Sequence, residues 1–251
     1  MNYTNRIADI DILKKELDGY RPFSLDVLSQ LKQYYRISLT YTSNALEGNT
    51  LTESETKVII EDGLTIGGHP IREIQETIGH SKAYDLIYDL IKNQDITEEN
   101  ILKLHSLFYE QINQENAGQY RTKQVIITGT DYQPPLYKDV PVLMKQFISD
   151  LEVKSKELHP VELASWVHLT FIGIHPFIDG NGRCARLLTN LILLRAGYAT
   201  VIIPPIVRSD YIEALKQAQV HNDNTGFINF ISEMELESMK DYLRIIKYLS
   251  E

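Results

Sequence analysis

Cysteine is almost absent from this 251-residue chain: Cys184 is the only one. An internal disulfide framework is therefore excluded, and a reducing cytoplasm suits the composition. Long apolar runs are missing too. None approaches the ~20 residues needed to span a bilayer, and the opening MNYTNRIADIDILKKELDGY lacks the apolar centre of a signal peptide. A soluble protein with no membrane partner is expected. Nor is there an excess of positive charge. The 25 Lys and Arg are outnumbered by 34 Asp and Glu, giving a net charge of −9. That argues against a diffuse binder of phosphate backbones, and so against nucleic acid as a partner. No Walker P-loop, internal repeat or low-complexity tract is found.

Hydrophobic residues make up 43% of the chain and charged residues 24%, enough apolar material for a sizeable core. Most of the sequence has helical period. Leu25, Leu28, Leu31, Tyr35 and Leu39 recur every three or four residues. Thr52 and Glu55 form a capping box, with Gly63 as the stop. Pro70 opens a further segment, and Thr97 caps one striped by Ile101, Leu104, Phe108 and Ile112. Helices are also expected near 160–173, 181–196, 210–220 and 226–248. One stretch departs from the pattern. Val125, Ile126, Ile127, Thr128, Gly129 and Thr130, followed by Pro134-Pro135, read as a short β-hairpin. The expected fold class is mainly α with one small hairpin.

The stretch HPFIDGNGRCAR, His175 to Arg186, concentrates the chemistry. A calcium loop counted from Asp179 fails, because Arg183, Cys184 and Asn190 fall where an oxygen ligand, glycine and glutamate are required. An anion site fits better. Gly180-Asn181-Gly182 precede a helical pattern, so free N–H groups and the positive end of the helix dipole meet there. Arg183 and Arg186, three residues apart, share a helix face and can reach one polyphosphate. With Arg195 and Arg208 they make a local basic cluster in an acidic chain. Asp179 is a hard oxygen ligand suited to Mg²⁺, and His175 can take a proton from a hydroxyl. Taken singly, each residue also reads as structural: a hydrogen-bonded histidine, a turn, a solvated arginine face. Their joint occurrence favours nucleotide chemistry.

This stretch resembles the signature of the Fic-domain family, His-Pro-Phe-x-(Asp/Glu)-Gly-Asn-Gly-Arg-x-x-Arg, at every defined position. The resemblance implies a Fic-type helical bundle. It also implies transfer of AMP from ATP to a Ser, Thr or Tyr hydroxyl of a protein target, with release of pyrophosphate. By the same resemblance His175 is the general base and Asp179 holds Mg²⁺. Gly180, Asn181 and Gly182 cradle the α- and β-phosphates, Arg183 supports the β-phosphate and Arg186 the γ-phosphate. Residues 125–130 become a flap that binds the target by strand addition, and Tyr211 a base or ribose contact. Related members carry an asparagine where this chain has Gln219.

A second stretch, SNALEGN, resembles the family's inhibitory motif through Ser43, Glu47 and Gly48. The implication is an intramolecular N-terminal helix whose Glu47 pairs with Arg186 and displaces the γ-phosphate. Three regions are expected: an N-terminal helical region at 1–92, a catalytic core at 93–235 and a helix end at 236–251. The expected function is an autoinhibited protein adenylyltransferase. A bifunctional enzyme that also removes AMP and a non-catalytic nucleotide sensor stand as alternatives, and a homo-oligomer stays open.

Overall fold

Two consecutive helices, α7 (Pro160–Ile174) and α8 (Asn181–Arg195), pack against each other at the centre of the molecule, with the His175–Gly180 loop between them. The structure is a computed structural model that describes residues 3–92 and 95–250. The expected boundary at residue 93, and residues 1 and 251, lie outside the described residues. Within α8, Cys184 to Leu193 are all buried, as expected of a helix covered on every side. Around this pair stand α1 (Ile7–Asp18), α2 (Leu25–Leu46), α4 (Ile71–Ile91), α5 (Glu98–Tyr109), α6 (Val140–Lys154), α9 (Arg208–His221) and α10 (Thr225–Ser250). The short α3 (Glu53–Lys57) widens into a π turn over Val58–Asp62. The main core cluster runs from Ile10 on α1 to Ile246 on α10, and a smaller one gathers Leu51, Ile59 and Ile74.

Several ends lie where the sequence marks them. The Thr52–Glu55 capping box forms, and Gly63 closes that segment at φ 66°. Thr97 caps α5, with Asn100 completing a reciprocal pair. The stripe on α2 is narrower than its spacing predicts. Leu25 and Leu28 face solvent, whereas Leu31, Tyr35 and Leu39 are buried. Helix α5 ends at Tyr109, short of Ile112. Two helices, α1 and α6, go beyond the sequence reading.

The expected β-hairpin does not form. Among the described residues there is no strand, and Val125 to Thr130 make an irregular arm with a turn at Thr128-Gly129. The reason lies in its return limb. Pro134 and Pro135 have no N–H to donate to a ladder. Their carbonyls are taken instead by side chains, Gln124 Nε2 at 3.0 Å from Pro134 O and Arg121 Nη2 at 2.6 Å from Pro135 O. Ile126, 93% exposed, has no facing sheet to pack on.

Helices α4 and α5 cross closely at Gly79. A Cβ there would come within 2.5 Å of the Phe108 carbonyl oxygen, a backbone atom that cannot swing away. Gly79→Ala is therefore expected to destabilise the fold by about 1–3 kcal/mol, measured as a drop in the urea unfolding midpoint; an unchanged midpoint contradicts this crossing.

Candidate active site

The loop between α7 and α8 is held from three sides. Its first residue, His175, takes the left-handed conformation (φ 51°) that ends α7. Next, Phe177 stacks on the His105 ring at 3.7 Å between centroids. The Asn181 side chain accepts from Phe177 N–H and donates to Phe177 O, both at 2.9 Å. Its amide thus braces the loop and leaves anion contacts to the backbone. Gly180 caps α8 at φ 80°, and a Cβ on it would strike the Phe108 ring. His105 accepts from Gly118 N–H through Nδ1 and reaches Asp179 O through Nε2 at 3.2 Å.

Glu47 closes the site. It ends α2, where Gly48 turns the chain back at φ 98°. Its carboxylate receives Arg186 Nη2 at 2.6 Å and lies over the first turn of α8, so that a Cβ on Gly182 would run into it. Burial pushes the Glu47 carboxyl upward, but the Arg186 and Arg183 charges outweigh it and the net direction is down. A side-chain anion therefore sits where helix dipole and free N–H groups favour an anion. The remainder of Arg186 is engaged as well. Nε donates to Ser43 Oγ and Nη2 to Ser43 O, both at 2.9 Å.

Tyr211 stands beneath this arginine rather than in an open pocket. It is 3% exposed, and its hydroxyl accepts from Arg186 Nη1 at 3.3 Å and meets His168 Nε2 at 2.9 Å. His168 Nδ1 in turn meets Thr189 Oγ1, whose hydroxyl donates to Ala185 O. One consistent relay follows: Arg186 donates to Tyr211, Tyr211 to neutral His168, and His168 to Thr189. In this arrangement Tyr211 orients Arg186, and no face of it is free for a base or ribose.

Three residues on α2 and α4, Asn44, Arg72 and Glu76, join the site without a defined motif position to mark them. Arg183 is buried over the Phe108 ring and pairs with Glu76 at 3.1 Å; Asn44 lies at 3.4 Å. Arg72, one turn from Glu76, bonds Asp179 Oδ2 at 2.7 Å, while Asp179 Oδ1 accepts from Gly180 N–H. The i,i+4 spacing of Arg72 and Glu76 was visible in sequence, but their partner 107 residues away was not. Of the basic cluster, Arg208 caps α2 at Leu46 O and Arg195 reaches Leu90 O, away from the site.

Among the described residues no group of three or more His, Cys, Asp or Glu could hold a metal ion alone. Asp179 remains a fitting single ligand. Its side chain is 39% exposed, and Mg²⁺ characteristically binds one or two carboxylates together with substrate phosphates and water.

Comparison with known proteins agrees with this geometry. Residues 95–193, the stretch that holds the site, match the Fic/DOC family, so that part of the chain is a Fic domain. Among curated relatives, the protein adenylyltransferase Fic of Nematostella vectensis is 37% identical over 237 residues, covering 93% of this chain and 55% of the relative. That of Drosophila melanogaster is 38% identical over 240 residues, covering 95% and 48%. The chain thus spans about half the length of these relatives. Among solved structures, Fic-1 of C. elegans superposes with a TM-score of 0.87 at 28% identity, covering 96% of this chain and 72% of that one. A Fic domain containing signaling protein of Bacteroides thetaiotaomicron gives 0.87 at 28% identity, covering 96% and 97%. No helix among the described residues is long and apolar enough to cross a membrane.

Four histidines surround the site, His80, His105 and His168 buried and His175 half-buried. Burial pushes His80 and His168 down to about 3, and His105 and His175 to about 4. All four are neutral in the folded state at pH 7. As pH falls from the ordinary value near 6.5 toward 4, the unfolded chain takes up protons that the folded chain refuses. Folding stability must then fall, by up to about 1.4 kcal/mol per pH unit for each histidine. Urea midpoints at pH 7 and pH 5 check this, with the lower value expected at pH 5; equal midpoints contradict it.

Proposed function

We propose that the chain is a protein adenylyltransferase held in an inhibited form by its own N-terminal region. The observation that carries this reading is the Glu47 carboxylate lying on the first turn of α8 with its oxygen on Arg186. A cradle built for phosphate is filled by a tethered anion. The curated relatives named protein adenylyltransferase support the same activity.

In the working form Glu47 swings away, and the N–H groups of Gly180 to Gly182 with Arg183 and Arg186 receive the triphosphate of ATP. His175, neutral at pH 7, takes the proton from a target Ser, Thr or Tyr hydroxyl as its oxygen attacks Pα. The bond from Pα to the bridging oxygen breaks and pyrophosphate leaves, so the target gains AMP. The arginines and helix end stabilise the charge that spreads over the phosphoryl oxygens. Asp179, released from Arg72, would hold Mg²⁺, which neutralises phosphate charge when bound. Residues 125–130 form the arm that receives the target. They offer backbone groups that no ladder uses and the exposed Ile126 side chain. In this scheme 1–92 regulates a core at 93–235, and the C-terminal region at 236–251 holds the end of α10 at Ser250.

A brake of this kind needs little energy, since each tenfold loss of productive ATP binding corresponds to only about 1.4 kcal/mol. Wild type, Glu47→Gly and Glu47→Gly/His175→Ala should be incubated with α-labelled ATP and Mg²⁺ alone and in a lysate. Strong protein labelling by the single mutant only is expected. Equal labelling by wild type and Glu47→Gly removes the brake, labelling by the double mutant removes the base, and no labelling at all contradicts the transferase.

A further inference from the structure

Arg121 stands out among the side chains that the proposed chemistry does not use. It is 3% exposed, yet every acceptor around it is neutral. Nε donates to His175 O at 2.8 Å, and Nη2 to Pro135 O at 2.6 Å. Nη1 reaches Lys123 O at 3.3 Å and Gln124 Oε1 at 3.4 Å. Its backbone N–H donates to Pro176 O at 2.9 Å. Burying a guanidinium among carbonyls rather than carboxylates is costly, and burial moves its pKa down. Such an arrangement is understandable where a planar fork must tie several backbone segments in fixed geometry.

The segments it ties are the turn carrying His175 and the two ends of the 122–136 arm. Among the described residues His175 is one of two non-glycine residues at positive φ, the other being Asn222. A histidine in the left-handed region persists only where its surroundings over-determine it. The Arg121 bond to its carbonyl supplies that constraint. A second tie runs from Tyr132 OH to Gly173 O at 2.9 Å, joining the same arm to the last turn of α7.

We propose that Arg121 is a positioning residue for the transfer reaction: it fixes the His175 turn and the base of the 122–136 arm as one rigid unit. A target hydroxyl held by the arm is thereby registered against the imidazole, while the arginine touches neither ATP nor target. This inference rests on the adenylyltransferase reading for its kinetic consequence but not for its structural one. The charged groups facing His175 are Arg121, Glu47 and Asp179. After burial, the Arg121 charge is the next largest influence keeping the imidazole at about 4, and the Ile172 carbonyl and the two carboxylates act in the opposite direction.

The test uses the full chain carrying Glu47→Gly, with Arg121→Met and Arg121→Lys added singly, and Gln124→Ala as a variant that loosens the clamp without entering the core. Amide hydrogen exchange and ATP binding are measured on each, alongside the transfer rate. For Arg121→Met the expectation is faster exchange across 122–136 and 175–177, unchanged ATP affinity and a kcat lower by about a hundredfold, the scale of an ångström misplacement. The His175 ring, followed by NMR, should titrate higher in Arg121→Met and stay low in Arg121→Lys. Arg121→Lys should nonetheless recover little kcat, because an ammonium cannot span the same acceptors. Gln124→Ala should show faster exchange confined to the arm. A folded Arg121→Met with unchanged exchange or full kcat overturns the proposal, as does full rescue by lysine. If the Glu47→Gly parent transfers nothing, the transferase reading falls, while the exchange pattern still decides the clamp.

Discussion

The contact between Glu47 and Arg186 is the constraint on which the rest of this structure turns. It joins the C-terminal end of α2, where a carboxylate faces an unfavourable dipole, to the N-terminal end of α8, where the dipole favours it. The glutamate gains nothing from its own helix and much from its neighbour's. Surrounding groups are arranged to hold that neighbour still. Ser43 takes Arg186 from the α2 side, and the Tyr211–His168–Thr189 relay takes it from below. An arginine so completely engaged presents a fixed fork, suited equally to a carboxylate or to a phosphate.

A parallel set of contacts runs through α4, and it bears on the same site. Glu76 pairs with Arg183, and Arg72 with Asp179. Each charged residue that the proposed chemistry assigns to phosphate or metal is thus matched by an opposite charge from the N-terminal part of the chain. Partly buried pairs of this kind are weak contributors to folding, since desolvation offsets much of their Coulombic gain. Their value lies in exchange. A charge satisfied by a protein partner can be handed to a ligand charge without a large change in total energy, so a modest ligand preference moves the equilibrium.

The candidate loop was legible in sequence because its pattern is local. His175, Asp179, Gly180, Gly182, Arg183 and Arg186 lie within one turn and the first helical turns that follow, and local order is what spacing reports. Capping residues such as Thr52 and Thr97, and the Gly63 stop, were legible for the same reason. Partners brought in by packing were not. Arg72, Glu76, His105 and Arg121 each meet the loop across long sequence separations, and nothing beside them in sequence marks the meeting. The burial of Tyr211 was not legible, because its spacing shows that it shares a helix face with Leu215 and Ala218 but not that this face is closed. The hairpin was misread for a definite reason. Three consecutive apolar residues carry β propensity, but two prolines in the return limb deny the ladder its donors.

In the proposed function Glu47 occupies an anion site which ATP must reclaim. Calorimetric titration of inorganic pyrophosphate, with Mg²⁺ present, into wild type and Glu47→Gly tests this without any catalytic step. Freed of the carboxylate, the cradle should bind pyrophosphate at least about tenfold more tightly, a gain near 1.4 kcal/mol. Equal affinities in the two proteins would mean that the carboxylate and the phosphate do not compete, and the account of the brake would fail.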